Sequence, residues 1–181
     1  MDIQSNKNEL RRRFQNLRNG LEPSHKQALD HELNHKLQSF IFKFKPKVVH
    51  CYLPIGSEIN LCPTIQFLLD NDITVVCPET LKKPMLKNWI LNSLTELKNG
   101  FFNTQFPASG EEFHGSYDLI IVPGLAYNSQ NYRLGYGGGY YDHFLKLHPK
   151  VHKLGLFYSF QKCDELSQEQ HDIPLDLILT D

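Results

Sequence analysis

The stretch YDLIIVPG, residues 117–124, is the segment that decides the fold. It is a short, continuous apolar run that ends in Pro-Gly. Such a run is typical of a strand that is buried on both faces, as the strands of parallel sheets are. It therefore predicts a sheet that is covered by helices on both faces.

The segments around this strand alternate between strand and helix patterns. Further strands are predicted at 47–54, 73–78, 86–91, 152–159 and 175–181. Helices are predicted at 5–19, 24–42, 63–71 and 139–147, whereas 92–116 shows no clear pattern. Ser24 is the expected N-cap of the second helix, and Pro63 falls in the first turn of the third. The pattern predicts an α/β fold with three layers: a mainly parallel sheet with helices on both faces, Rossmann-like, in one domain over 1–181.

Composition narrows the class of protein. The chain has 181 residues, 40% of them hydrophobic, which is enough for one domain with a substantial core. Its net charge is −1, so no global field points to nucleic acid. Four scattered cysteines without a CxxC pair suit a reducing cytoplasm. The amino terminus lacks the apolar core of a signal peptide, and no run reaches the length that spans a membrane, so we expect a cytoplasmic protein without a membrane partner.

The segment RLGYGGGYYDHF, residues 133–144, holds four glycines, three tyrosines and an aspartate. It matches neither the Walker A loop nor the dinucleotide fingerprint, whose third glycine would fall where Tyr140 lies. Glycines nevertheless let backbone N–H groups approach a phosphate, and the following helix presents its positive end. Asp142 could then hold a magnesium ion that arrives with the phosphates. The alternative is a flexible hairpin in which Asp142 only stabilises the helix start.

The loop shares one edge of the predicted sheet with other polar residues. Ligands of open α/β sheets bind at the carboxyl ends of the strands. Glu58 and Ser159 also fall just beyond strand ends. On the first helix, Lys7, Arg11 and Arg18 lie within about 40° of each other, beside an apolar stripe of Leu10, Phe14, Leu17 and Leu21. These cations face a cleft or, alternatively, extend along the surface of an ordinary basic helix.

Four stretches in order resemble the 5-formyltetrahydrofolate cyclo-ligase family: KNELR, LPIGSEI, PGLAYNSQNYRLGYGGGYYD and HDIPLDLILTD. The resemblance spans nearly the whole chain. It implies an ATP-dependent enzyme that converts 5-formyltetrahydrofolate to 5,10-methenyltetrahydrofolate, with ADP and phosphate released. The implied route phosphorylates the formyl oxygen, and the neighbouring folate nitrogen then closes the ring. Such chemistry needs positioning, charge neutralisation and exclusion of water.

The resemblance also implies roles for individual residues. Arg133 and Asp142 are the implied catalytic pair, and Asp142 and Asp172 the implied ligands of Mg²⁺, the cofactor that accompanies ATP. The implied ATP-binding residues are Lys7, Arg11, Arg133, Gly135, Gly137, Gly138, Gly139, Tyr140 and Tyr141. The implied substrate-binding residues are Leu53, Glu58, Phe102, Tyr136, Gly137, Gly138 and Tyr140.

Several of these roles have a plainer structural alternative. Glu58 could be a solvated loop acid, Tyr140 and Tyr141 could pack the helix on the sheet, and Arg18 is taken as structural. Asp176 could assist Asp172 or serve a turn. The family's usual pattern is replaced by FNTQFP at 102–107, where Phe102 is expected to stack on the pterin.

Three functions follow from these observations, and the first is preferred: a monomeric folate cyclo-ligase that binds only ATP and its folate. The second keeps the ATP site and changes the substrate, because FNTQFP departs from the family. The third is a folate- or nucleotide-binding protein without catalysis, which a complete phosphoryl-transfer set disfavours. A nucleic-acid role would rest on the run Arg11–Arg13 alone.

Overall fold

The computed structural model describes residues 3–169 and 171–181. These residues form four α-helices: α1 (Ile3–Asn19), α2 (Pro23–Phe44), α3 (Cys62–Asp70) and α4 (Tyr140–Leu147). The prediction of Ser24 as N-cap is wrong. The cap position is Glu22, and Pro23 is the first helical residue, where a missing N–H costs nothing. None of the described helices is long and apolar enough to cross a membrane.

The described part of the chain also forms ten strands, and all six predicted strands are among them. They are β1 (Val48–His50), β2 (Thr74–Thr80), β3 (Leu86–Leu91), β4 (Leu97–Asn99), β5 (Gln105–Pro107), β6 (Leu119–Val122), β7 (Ala126–Tyr127), β8 (Arg133–Leu134), β9 (His152–Phe157) and β10 (Leu177–Thr180). The ambiguous region 92–116 contains the hairpin of β4 and β5, which meet through a short 3-10 turn at Phe101–Asn103.

Six strands form the central sheet in the order β10-β9-β6-β1-β2-β3. All neighbours pair in parallel except β2 and β3, which are antiparallel. β1 is paired on both sides, with Val49 opposite both Val75 and Leu119. The mainly parallel sheet is therefore confirmed, with an antiparallel strand at one edge.

Alternating residues of the strands face two different cores. Val49 of β1 packs with Leu37 of α2 and Ile65 of α3 in one buried cluster. The next residue, His50, contacts Phe144 of α4 on the other face of the sheet. Helices thus cover both faces, and the three-layer arrangement is confirmed.

The first helix belongs to neither covering layer. Leu10 and Phe14 of α1 pack with Leu125, Ala126 and Leu134, in the segments that follow β6. Leu17, expected in the apolar stripe, is 47% exposed, because the helical period carries the buried face from Phe14 to Arg18. The buried residues of α1 are Lys7, Leu10, Phe14 and Arg18, so a cation lies at each end of its buried face.

Candidate active site

The hairpin of β7 and β8 holds Arg133 at the start of the glycine loop. Its turn is closed by Asn128, whose Oδ1 accepts hydrogen bonds from the backbone N–H groups of Gln130 and Tyr132, both at 3.0 Å. An Asn that bonds backbone donors further along the chain stabilises such a turn locally. The side chain of Asn128 is buried and fixes the register in which Arg133 pairs with Tyr127.

The glycine loop has the backbone that its sequence predicts. Gly137 has a φ of 92°, a conformation that a side chain disfavours. A Cβ on Gly138 would come within 2.5 Å of the Tyr140 ring. The expectation that these two positions need glycine is confirmed. The loop ends at Gly139, which precedes the first turn of α4.

Arg133 and Asp142 form an ion pair at this helix start. Arg133 Nη2 lies 3.2 Å from Asp142 Oδ1, and only 2% of the arginine side chain is exposed. The backbone of Ile173 joins both residues: its carbonyl accepts from Arg133 Nη1 at 3.2 Å, and its N–H donates to Asp142 Oδ1 at 3.4 Å. The carboxyl-terminal segment that carries Asp172 is thereby held beside the glycine loop.

Lys7 occupies a buried position against two acids of that segment. Its Nζ lies 2.7 Å from Oε2 of Glu169 and 2.7 Å from Oδ2 of Asp172. The hydrogen bond from Lys7 lowers the pKa of the Glu169 carboxyl. Lys7 is therefore not a surface cation of a basic helix.

Arg11 reaches the glycine loop from the same helix. Its Nε donates to the Gly135 carbonyl at 2.9 Å. A Cβ built on Gly137 would lie 3.3 Å from the Arg11 guanidinium carbon. Arg11 therefore lies directly against the loop, as expected of an ATP-binding residue there.

A cavity of about 420 Å³ opens on one side of the glycine loop. Its lining includes six of the predicted substrate-binding residues, namely Leu53, Glu58, Phe102, Tyr136, Gly138 and Tyr140. Phe102 has a φ of 57° and is 72% exposed, so its ring is presented at the cavity. The size and largely apolar lining suit a flat heteroaromatic ligand.

Glu58 is a buried acid within this cavity, which excludes the solvated-loop alternative. Only 6% of the residue is exposed, and its Oε2 accepts a hydrogen bond from the Ile55 N–H at 2.9 Å. Burial raises the pKa of Glu58, while the Ile55 N–H, the Tyr136 hydroxyl and the charge of Arg18 oppose that rise. A carboxylate in such a place binds paired N–H donors of a ligand strongly.

A smaller recess of about 80 Å³ adjoins the large cavity. Five residues line both spaces: Pro123, Tyr136, Gly138, Tyr140 and Tyr141. The recess adds Arg133, Gly135, Gly139 and Asp142 to its walls. A ligand in the large cavity and an anion in the recess would therefore meet at Gly138 and the two tyrosines.

Tyr140 and Tyr141 serve packing and lining at once. The Tyr140 hydroxyl donates to the Leu81 carbonyl at 3.1 Å, which ties α4 to the end of β2. The Tyr141 ring packs edge-on against His50 and Phe144. Its hydroxyl is buried without a hydrogen-bond partner among the described residues. The packing role and the lining role are compatible, because Tyr141 packs on His50 and Phe144 and also lines both spaces.

The donor set near the recess fits a magnesium ion. Asp142 and Asp172 supply carboxylate oxygens, the ligands that Mg²⁺ takes from proteins when phosphates and waters complete its shell. Within the described residues, hydrogen bonds engage only Oδ1 of Asp142 and only Oδ2 of Asp172. Oδ2 of Asp142 makes no hydrogen bond among these residues, and Oδ1 of Asp172 lies 3.8 Å from His171 Nε2. The joint metal role of the two aspartates stays a prediction.

Two functional arrangements were missed from the sequence. Glu169 shares Lys7 with Asp172, and Arg18 contacts Tyr136, although Arg18 was taken as purely structural. Neither pairing has a local signal, since the partners lie 162 and 118 residues apart.

Two other candidates lie outside both cavities. Ser159 hydrogen-bonds the Asp181 side chain through its N–H and its hydroxyl. Asp176 accepts the Lys153 N–H at 2.7 Å, so it stabilises the approach to β10. The turn role of Asp176 is the one that the structure supports.

The chain is similar in sequence to known proteins of one family. The sequence profile of the 5-formyltetrahydrofolate cyclo-ligase family matches residues 3–181. A 5-formyltetrahydrofolate cyclo-ligase of Mycoplasma pneumoniae is 33% identical over 179 residues, which cover 97% of this chain and 98% of the relative.

Two solved structures are similar over almost the full length. The 5,10-methenyltetrahydrofolate synthetase of Mycoplasma pneumoniae has a TM-score of 0.77 at 30% identity and covers 98% of each chain. That of Aquifex aeolicus has a TM-score of 0.81 at 32% identity, covering 96% of this chain and 89% of the other.

Proposed function

The chain belongs to the 5-formyltetrahydrofolate cyclo-ligase family, and we propose that it cyclises 5-formyltetrahydrofolate to 5,10-methenyltetrahydrofolate through a phosphorylated formyl group. One observation carries the proposal. A large apolar cavity with a buried carboxylate adjoins a small recess with a buried arginine, and Gly138 lies between them. This is the arrangement that a reaction between a flat folate and a phosphate requires.

The reaction has two steps, and its atoms balance. The formyl oxygen attacks the terminal phosphorus of ATP, and ADP leaves. The neighbouring amine nitrogen of the folate then attacks the activated formyl carbon, so that a C–N bond forms while the C–O bond to phosphate breaks. Phosphate leaves with the formyl oxygen, the amine proton is released, and the methenyl cation remains.

The protein contributes position and charge to these steps. Arg133 is rigidly held by Ile173 and Asp142, so its guanidinium faces the recess without further ordering. Arg11 adds a second positive charge beside Gly137, and Lys7 a third at the acids of the carboxyl-terminal segment. Fixed cations of this kind stabilise charge on a transferring phosphoryl group more than mobile ones do.

Magnesium, held by Asp142 and Asp172, would supply further neutralisation of the phosphate charge when bound. The chain's own part is to fix the two carboxylates, Asp142 in the wall of the recess and Asp172 in the segment that also bonds Arg133 through Ile173. The Ile173 N–H restrains Asp142, and the Glu169 N–H restrains Asp172 at 2.9 Å.

The large cavity selects and orients the folate. Glu58 accepts N–H donors of the pterin, Phe102 stacks on its ring, and Leu53 supplies an apolar wall. This orientation places the formyl group toward Gly138, where both spaces meet. An acceptor held in position beside the phosphate converts an encounter of two ligands into a reaction within one complex.

Incubation with 5-formyltetrahydrofolate and Mg-ATP tests the proposal. We expect growth of the methenyl absorbance with one ADP released for each methenyl group formed. If ATP binds but no methenyl absorbance grows, while another one-carbon substrate triggers release of ADP, the assignment of substrate is wrong. Binding of folate and ATP without any turnover would indicate a binding protein instead.

The proposal carries two expectations about the protein in solution. We expect it to act as a monomer, because the residues assigned to both cavities come from one chain. We also expect it to act in the cytoplasm. Sedimentation with and without ATP checks the first, and fractionation of cells checks the second.

A further inference from the structure

Arg18 lies in the last turn of α1, and only 4% of it is exposed. Its three nitrogens contact three different segments. Nη2 donates to the Tyr136 hydroxyl at 2.6 Å, Nε to Ser57 Oγ at 3.1 Å and Nη1 to the Gly124 carbonyl at 3.4 Å. A buried arginine with so many fixed partners holds the borders of the large cavity together.

The contact with Tyr136 determines how that hydroxyl is used. A guanidinium has only donors, so the Tyr136 oxygen must accept from Arg18. The tyrosine's own proton is then free to point into the large cavity, whose wall Tyr136 shares with Glu58. The Arg18 charge also lies over the Tyr136 ring, with its guanidinium carbon 5.7 Å from the ring centroid.

Resting on the function proposed above, we infer that Arg18 is a positioning residue of the folate site. Acting through Tyr136, it fixes the wall of the large cavity in which the Glu58 carboxylate accepts the N–H donors of the pterin. Tyr136 transmits the effect from the glycine loop, so the same loop serves the recess and the folate cavity.

The charges around Glu58 support this assignment. The titratable groups that face it are Tyr52, Tyr136, Tyr141 and Arg18. Burial raises the pKa of each of the three tyrosines, so they are neutral at physiological pH. Arg18 supplies the positive charge of this group. Without Arg18, only the Ile55 N–H and the Tyr136 hydroxyl would oppose the rise in the Glu58 pKa that burial causes, and a protonated carboxyl has fewer acceptor sites for an aminopyrimidine edge.

Two variants separate this coupling from a general structural role. Tyr136→Phe keeps the ring and removes only the hydroxyl. Arg18→Met keeps an apolar stem and removes the charge. Arg12→Met is the matched control, because Arg12 lies on the exposed side of the same helix.

The first measurement is a carboxyl-carbon NMR titration of Glu58 in the protein without ligands. We expect the pKa of Glu58 to rise in Tyr136→Phe and in Arg18→Met, and to stay at the wild-type value in Arg12→Met. A structural role alone would leave this titration unmoved. Unchanged values in both variants overturn the inference. If Arg18→Met fails to fold, Tyr136→Phe alone decides the question.

The second measurement is binding of 5-formyltetrahydrofolate, without ATP, across a range of pH. At neutral pH we expect both variants to bind this folate more weakly by roughly tenfold or more, as for a lost hydrogen bond to a charged group. We also expect the loss of affinity on acidification to begin at a higher pH than in the wild type. Wild-type profiles in the variants contradict the inference. If the wild-type protein does not bind this folate at all, the proposed function fails, while the titration of Glu58 still decides whether Arg18 and Tyr136 control it.

Discussion

Lys7 Nζ and Asp172 Oδ2 lie 2.7 Å apart although 165 residues separate them in the sequence. This ion pair joins the first helix to the segment before the last strand. The same helix, α1, carries three cations along roughly 16 Å, the rise of eleven helical residues: Lys7, Arg11 and Arg18. They contact, in turn, the acids, the glycine loop and the folate cavity. One helix thereby contacts every part of the proposed site.

Replacement of Lys7 tests the first of these contacts. Lys7→Gln leaves Glu169 and Asp172 with uncompensated negative charge beside the phosphates. We expect the KM for ATP to rise by about tenfold or more, as for a lost hydrogen bond between charged groups, with a much smaller change in the KM for folate. Steady-state kinetics with each substrate varied in turn measures both. Arg13→Gln, which removes an exposed ion pair of the same helix, is the control. Equal changes in both constants would contradict the assignment of Lys7 to ATP.

The two aspartates are expected to act on one magnesium ion. Asp142→Asn and Asp172→Asn keep shape and remove a charge, so we expect turnover to fall by about 10²-fold or more, the scale of a lost electrostatic stabiliser. Folate binding without ATP should change much less. A magnesium titration of turnover provides the measurement, and added magnesium should partly rescue Asp172→Asn if that contact runs through water.

The control for this pair is Asp72→Asn, which changes an exposed aspartate after α3. Wild-type turnover together with unchanged magnesium dependence in both site variants would remove the metal role. Asp142 would then be a partner of Arg133 only, and Asp172 a partner of Lys7 only.

Gly137→Val tests the glycine loop. The residue has a φ of 92°, and a Cβ there would meet the Arg11 guanidinium at 3.3 Å. We expect about 1–3 kcal/mol of local strain and a collapse of ATP affinity, while the fold survives. Gly56→Val is the control for strain, because Gly56 also has a positive φ, of 54°, and lies outside the recess. Calorimetric titration with ATP decides the matter. Normal ATP affinity in Gly137→Val would return the loop to the role of a simple turn.

The buried His50 should make the stability of the folded protein depend on pH. Burial lowers the pKa of His50 to about 3, against an ordinary value of 6.5, and its ring packs against Phe144. Between these values the unfolded chain binds more protons than the folded protein, so stability falls as pH falls. From about pH 7 to about pH 5 this group should cost about 2 kcal/mol of unfolding free energy.

Urea unfolding at both pH values measures that cost. His50→Gln should lose this part of the pH dependence, whatever its absolute stability. His31→Gln, at an exposed site of α2, should keep it. The same pH slope in His50→Gln and in the wild type would show that His50 is not held neutral.

The sequence predicts most of the framework because the buried strands are short apolar runs. Val49, Val75 and Leu119 lie in such runs, which are typical of strands that are buried on both faces. The sequence does not predict the hairpin that carries Arg133, since β7 and β8 have only two residues each. A strand of two residues is too short to show a periodic hydrophobic pattern in the sequence.

Residues of the candidate site could be predicted from the sequence only where they lie close together in one motif. The loop glycines, Arg133 and Asp142 lie within ten residues of one another, and the structure keeps them together. The couplings of Lys7 to Glu169 and of Arg18 to Tyr136 depend on where α1 docks. That docking comes from Leu10 and Phe14 against Leu134, a long-range contact that no local pattern encodes.

The fate of the formyl oxygen tests the central claim most directly. 5-Formyltetrahydrofolate with a heavy-oxygen label in the formyl group is converted with unlabelled Mg-ATP, and the inorganic phosphate is analysed by mass spectrometry. If the formyl oxygen is phosphorylated, the account predicts one labelled oxygen in each phosphate released, with the methenyl product free of label. Methenyl product formed beside unlabelled phosphate, with the label recovered in water, would contradict it.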